Sequence, residues 1–262
     1  MTTLDVLKKI KLDLRKGCIE PDQWVQYEHD FEISPRDFLK FSKQDFKTND
    51  KRGNINALTN AKRAIDCQTE RILYSIGIDP KQFSNTIVEK FIQDSRNAPK
   101  KDLPIRLRLL QALGFAPAAI TAGVRNLRHD VEHFYKKPTN DQVSNAIELA
   151  ELFIQATDSK LRTMTHFYIS DTDKKLKSDG HVWNSLHIEH TPHKNLFTIY
   201  SWLEKTKLKR IIIKNDTEEY LYLVKIAALA DNDEDVEDAL KDWIKFINHP
   251  IPIDNIHFER IF

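Results

Sequence analysis

Residues 125–135 read Arg-Asn-Leu-Arg-His-Asp-Val-Glu-His-Phe-Tyr, and their spacing allows two kinds of chemistry. His129 and His133 stand four apart, so on a helix both imidazoles share one face and could ligate one metal ion. Arg128 and His133 stand five apart, with Tyr135 two residues further on. RNA carries its own nucleophile, the ribose 2′-hydroxyl. Its cleavage needs a base for that proton, an acid for the departing 5′-oxygen and a cation for the crowded phosphorane. Histidine titrates near neutral pH and can fill either proton role. Arginine keeps its charge and offers a planar fork to phosphate oxygens.

Helical geometry separates the two sets. Positions five apart differ by about 140° in direction and about 7.5 Å in rise. Arg128 and His133 of one chain therefore diverge, whereas two chains can bring one arginine beside the other's histidine. Arg125, His129 and His133 form an i,i+4 face, and Arg128 can pair with Glu132. That pair either holds the guanidinium in place or is an ordinary surface ion pair.

His129–His133 spells H-x-x-E-H, which resembles the zinc box of the inverted zincins. A catalytic zinc there would need a third protein ligand, for which Glu148 and Glu151 are available. Those enzymes belong to a larger α+β fold that this chain does not echo, and no metal or other cofactor is expected. The segment DFLKFSKQDFKTNDKRGNINALTNAKRAIDCQTERIL, followed later by LRHDVEHFYKKPTNDQVSNAIELAELFI, resembles the opening and closing helix pairs of the HEPN superfamily. The resemblance covers roughly residues 35–157. It rests on R-x4-H-x-Y, the proline-containing turn after it and the long amphipathic helix that follows. His129 stands where the family more often has Asn or Asp.

The resemblance implies a metal-independent RNA endonuclease acting as a homodimer, with Arg128 and His133 catalytic; Arg125, His129 and Glu132, their neighbours at helical spacing, are the supporting candidates. Tyr135 matches the tyrosine that, in family members paired with a minimal nucleotidyltransferase antitoxin, looks like an acceptor of a transferred nucleotide. A toxin or anti-phage effector is the implied setting. A non-catalytic HEPN scaffold that binds nucleotide or a partner protein is the alternative, because fold alone does not fix function.

Charge distribution agrees with a polyanionic partner. The net charge of +1 conceals nine basic and three acidic residues within 96–137, around the motif. The opening MTTLDVLKKIKLDLRKG lacks the apolar core of a signal peptide, and no run approaches 18 apolar residues. A cytoplasmic protein with no membrane contact is expected. Cys18 and Cys67 permit one bridge at most.

The elements that must position the motif are helical. Apolar spacing gives a helix over 2–16, and Ser34-Pro35 opens another over 35–48. A third runs over 55–76 from Asn54 and stops at Gly77. Asp79-Pro80 opens the next, and 104–113 ends at Gly114. Pro117 begins the motif helix, which ends before Pro138, and Thr139 caps 140–157. After Asp158 the pattern changes to short β-branched and aromatic runs: RTMTHFYIS, SLHIEH, LFTIYSWL, KRIIIKN and EYLYLVKIAAL. Helix returns at DEDVEDALKDWIKFI, and the proline-rich tail from His249 is extended. The expected fold is α+β: a helical extension over 1–33, an all-α HEPN-like bundle over 34–158, then a smaller β-rich α+β domain over 159–262. His181, His187, His190 and His193 cluster in that last part without a zinc spacing. In a strand, His187 and Glu189 would share a face and His190 would oppose it.

Overall fold

The computed structural model describes residues 1–26, 31–95, 103–116, 119–172, 184–203, 206–229 and 233–260. Helix α1 (Thr3–Ile10) opens with a capping box between Thr2 and Asp5 and stops at Lys11, whose φ is 52°. Strand β1 (Gly17–Gln26) follows. Six helices come next: α2 (Pro35–Phe46), α3 (Lys51–Ser75), α4 (Asn85–Asp94), α5 (Ile105–Ala112), α6 (Ala119–Phe134) and α7 (Asn140–Asp158). Then come β2 (Arg162–Asp171), β3 (Leu186–Thr191), β4 (Leu196–Leu203), β5 (Thr206–Lys207) and β6 (Ile211–Lys214). Helices α8 (Glu218–Leu229) and α9 (Asp233–Phe246) and strand β7 (Phe258–Arg260) complete the described chain.

These strands form one mixed sheet in the order β5-β4-β3-β2-β1-β7, with β6 also pairing β4. β1 runs antiparallel to β2 and parallel to β7. The α+β class therefore stands, but an N-terminal all-α bundle followed by a β domain does not. Residues 17–26, expected within a helical extension, are an interior strand of the sheet, and the helices from α2 to α7 are inserted between β1 and its neighbour β2. The strand was hard to read because Pro21 sits inside it. The register shifts around Gln23, a bulge that accommodates a residue with no N–H to donate. Its buried residues run together at the start and its exposed ones at the end, so strict alternation is missing. Gly17 is required where β1 meets β7, since a Cβ there would lie 2.5 Å from the Phe258 ring.

A second correction concerns EYLYLVKIAAL, expected as a strand and observed as α8. Every residue from Tyr220 to Leu229 is buried, Lys225 with its partner Asp242 included, so the helix buries all its sides and shows no amphipathic period. It packs across β2, β4 and β6 on one side and meets α4 on the other. The Tyr220 hydroxyl donates to the Ile76 carbonyl at 2.7 Å, and Asn215 donates to the Gly77 carbonyl at 2.7 Å. One hydrophobic cluster runs from α1 through the helices into the sheet, α8 and α9.

Smaller shifts have local causes. α3 starts at Lys51 rather than 55 because Asp50, not Asn54, caps it by accepting from the Gly53 N–H at 2.7 Å. Residues 79–83 turn around Asp79, and α4 begins only after Ser84. No described helix is long and apolar enough to cross a membrane.

Candidate functional site

Helix α6 carries the R-x4-H motif, and its apolar positions decide which way the motif faces. Val124 is buried, and Leu127 and Val131 pack half-buried against the core. These three recur at steps of three and four, the spacing of one helical face. Arg125, His129, Glu132 and His133 are thereby turned to solvent, and all four are exposed. The His129 and His133 rings lie 4.4 Å apart between centroids, as i,i+4 neighbours should. Phe134 adds an edge contact to His129 at 5.6 Å and is itself 60% exposed.

Arg128 points elsewhere. Its guanidinium is ion-paired with Glu132 one turn on, and its Nε is buried with no hydrogen-bond partner among the described residues. Arg125 borders a cleft of about 270 Å³ between α3, α5 and α6, which Lys62, Glu70 and Arg106 also line. The helix ends at Tyr135, in the left-handed region with φ 52° and 89% exposed. The Lys136 N–H closes on the Asp130 carbonyl at 3.3 Å, and its ammonium meets the Asp130 carboxylate at 3.1 Å. Thr139 then forms a capping box with Gln142 and starts α7. Residues 117–118, where the motif helix was expected to begin, lie outside the described residues.

Within one chain the structure thus brings together His129 and His133, and separately Arg128 and Glu132. It does not bring Arg128 to His133. Among the described residues, no group of three His, Cys, Asp or Glu side chains is arranged to hold a metal ion. Glu148 and Glu151 lie on α7, where Glu151 pairs with Lys43 at 2.7 Å and Glu148 accepts from Ser144 at 3.5 Å.

A second constellation lies on the sheet, on the face opposite α8. Asp22 Oδ2 accepts from His166 Nδ1 at 2.6 Å and from the Tyr168 hydroxyl at 3.3 Å. On its other side, His166 Nε2 meets the Tyr200 hydroxyl at 3.4 Å. His187 is buried between the tyrosines, its ring 4.5 Å from Tyr168 and 4.8 Å from Tyr200. Lys207 Nζ stands 4.5 Å from the Tyr200 ring and 5.0 Å from that of Trp202, and the Arg210 guanidinium is 5.7 Å from Tyr200. Burial, reinforced by the Asp22 charge, pushes the Tyr168 phenol up to about 12. Burial and the Glu189 charge raise Tyr200 as well. Both phenols therefore remain donors at neutral pH.

Strand pairing assembles this group: Tyr168 is opposite His187, which is opposite Tyr200. Reasoning along the chain missed it because Asp22 and His166 are separated by the whole helical insertion. The alternation in THFYIS, which sets His166 and Tyr168 on one face, and the shared face of His187 and Glu189 were the local signals. His187 and Glu189 do share that face, and His190 opposes them in the core; His181 lies outside the described residues. No family model, curated protein sequence or solved structure matches this chain.

Proposed function

We propose that this chain is a metal-independent RNA endonuclease of the HEPN type, working as two copies that pair their α6 helices. The observation that carries the reading is the outward strip Arg125–His129–His133, solvent-exposed on a helix whose apolar edge is anchored in the core. Arg128 and His133 diverge within one chain, so a two-fold pairing of α6 with itself is what would join one copy's guanidinium to the other's imidazole. In that site one histidine moves the proton of the 2′-hydroxyl or the 5′-oxygen, and the arginine neutralises the phosphorane. The products are a 2′,3′-cyclic phosphate and a 5′-hydroxyl. Tyr135, exposed at the helix end, is open to nucleotide transfer that would block the cleft with bulk and negative charge. A toxin or anti-phage effector, silenced by an antitoxin of that kind, is the setting that belongs to this reading.

The Arg128–Glu132 pair favours one rival, a non-catalytic scaffold, because it occupies the arginine within its own helix. The experiment measures cleavage of mixed RNA in EDTA by the wild type, Arg128→Ala, His133→Ala and His129→Asn. His133→Ala is expected to slow cleavage about 10²–10⁴-fold. Arg128→Ala should weaken both binding and turnover, and His129→Asn should be mild. Equal collapse at 129 and 133 with Arg128→Ala unaffected, or activity that requires added Zn²⁺, would overturn the proposal in favour of a metal site. Absence of cleavage by the wild type would leave the scaffold.

A further inference from the structure

We infer that the open face of the sheet is a binding platform for single-stranded RNA, separate from the α6 strip. Its physical basis is an alternation of planes and charges. Tyr168, Tyr200 and Trp202 are half-buried aromatic rings on β2 and β4. Lys207 and Arg210 stand beside the last two of these, and neither is ion-paired with a carboxylate among the described residues. Among the described residues 206–214, Lys207, Lys209, Arg210 and Lys214 are basic and none is acidic, so the sheet edge at β5 and β6 is cationic. Rings to stack bases and cations to meet phosphates are the two components of a single-strand site.

The carboxylates on the face do not undo that charge. Asp22 is engaged by His166 and Tyr168, and it serves to fix them: the chain Asp22–His166–Tyr200 holds three strands' side chains in one orientation. Glu20, opposite Tyr168 across the strands, is buried and accepts from the Ser170 hydroxyl at 2.9 Å, and Glu189, exposed near Tyr200, is the carboxylate among the described residues that opposes a phosphate there. A platform oriented before binding loses less side-chain freedom when the strand docks. Both hydrogen bonds to Asp22 use Oδ2, so Oδ1 can accept from a ribose 2′-hydroxyl, the group that separates RNA from DNA. An acidic peptide would satisfy Lys207 and Arg210 but would offer no planes for the rings.

The test uses fluorescence anisotropy with a labelled, unstructured uridine-rich RNA of about 12 nucleotides, a length within the range of known single-strand sites. Binding is measured in EDTA with the full chain carrying His133→Ala, so that the probe survives even if the α6 strip cuts RNA. Lys207→Ala/Arg210→Ala is expected to reduce the slope of log affinity against log salt by about 1.4, the value for two phosphate contacts on a single strand. Tyr200→Leu should weaken binding on the order of 10-fold, the loss of one stacked base. Tyr200→Phe keeps the plane and should bind within about 3-fold of the parent, which separates stacking from a folding defect. DNA of the same sequence should bind more weakly than RNA. Parent-like affinity and salt slope in the double variant and in Tyr200→Leu overturn the platform, as does equal or tighter binding of DNA. Absence of RNA cleavage by the wild type with platform binding intact would overturn only the nuclease reading, so the two failures are distinguishable.

Discussion

His190 makes the fold sensitive to acid in a way that can be measured. Its ring stacks on Phe197 with centroids 4.1 Å apart and planes 10° apart. Its Nε2 meets the Tyr220 hydroxyl at 3.0 Å. That hydroxyl already donates to the Ile76 carbonyl, so it accepts from His190, and Nε2 carries the proton of the neutral ring. A second proton would charge a ring that is 5% exposed, and burial holds its pKa down to about 3. In the unfolded chain the same group protonates near pH 6.5. The folded pKa lies below the unfolded one, so this stability is fully present above about pH 6.5 and is lost as the pH falls towards 3. The loss is up to about 1.4 kcal/mol per pH unit for one proton. Between pH 6.5 and 5 it comes to about 2 kcal/mol, or about 4 °C in Tm for a chain of this length. His249, whose pKa burial also lowers, adds a smaller effect of the same sign. The assay is urea unfolding, followed by circular dichroism, at steps from pH 7.5 to 4.5 for the wild type and His190→Leu. The variant starts less stable but should show a flatter decline below pH 6.5. Parallel declines in the two proteins would refute the reasoning.

Two further tests concern other buried or half-buried groups. Asp242→Ala leaves the ammonium of Lys225 without its 2.9 Å partner in a site where both side chains are nearly enclosed, and should cost about 3–5 kcal/mol in urea unfolding. Lys225→Met/Asp242→Leu should recover most of that loss, whereas a double variant as unstable as the single one would contradict the desolvation argument. Cys67 should alkylate much more slowly than free cysteine at pH 8, because burial and the neighbouring Glu70 push its thiol up to about 11. Timed reaction with iodoacetamide under native and denaturing conditions, read by mass, tests this, and equal rates would refute it.

Local signals were legible where a side chain acts on its own neighbourhood. Ser34 and Thr139 form the caps their positions suggest, and Gly77 and Gly114 take the left-handed conformation that ends a helix. The outward turn of the α6 motif follows from Val124, Leu127 and Val131 alone. Features that depend on distant partners were not legible. β1 is a strand because β2 and β7 flank it, not because its sequence alternates. α8 is a helix because every side of it meets a packed surface, which makes its composition resemble a buried strand. The Asp22–His166–Tyr200 chain draws on three strands, and no short window contains it.

The insertion of α2–α7 between β1 and β2 also fixes an order of events during synthesis. Gln26 pairs with Arg162 and Gly17 with Asp171, so the first strand leaves the ribosome long before its antiparallel neighbour exists. Its other neighbour, β7, lies at the far end of the described chain. The helices can form from local contacts while β1 waits with its backbone groups unpaired, and closing so long a loop slows the final pairing. Truncated or stalled chains would therefore display an open edge ready to join another copy, and a nascent-chain holdase would have its clearest target at residues 17–26.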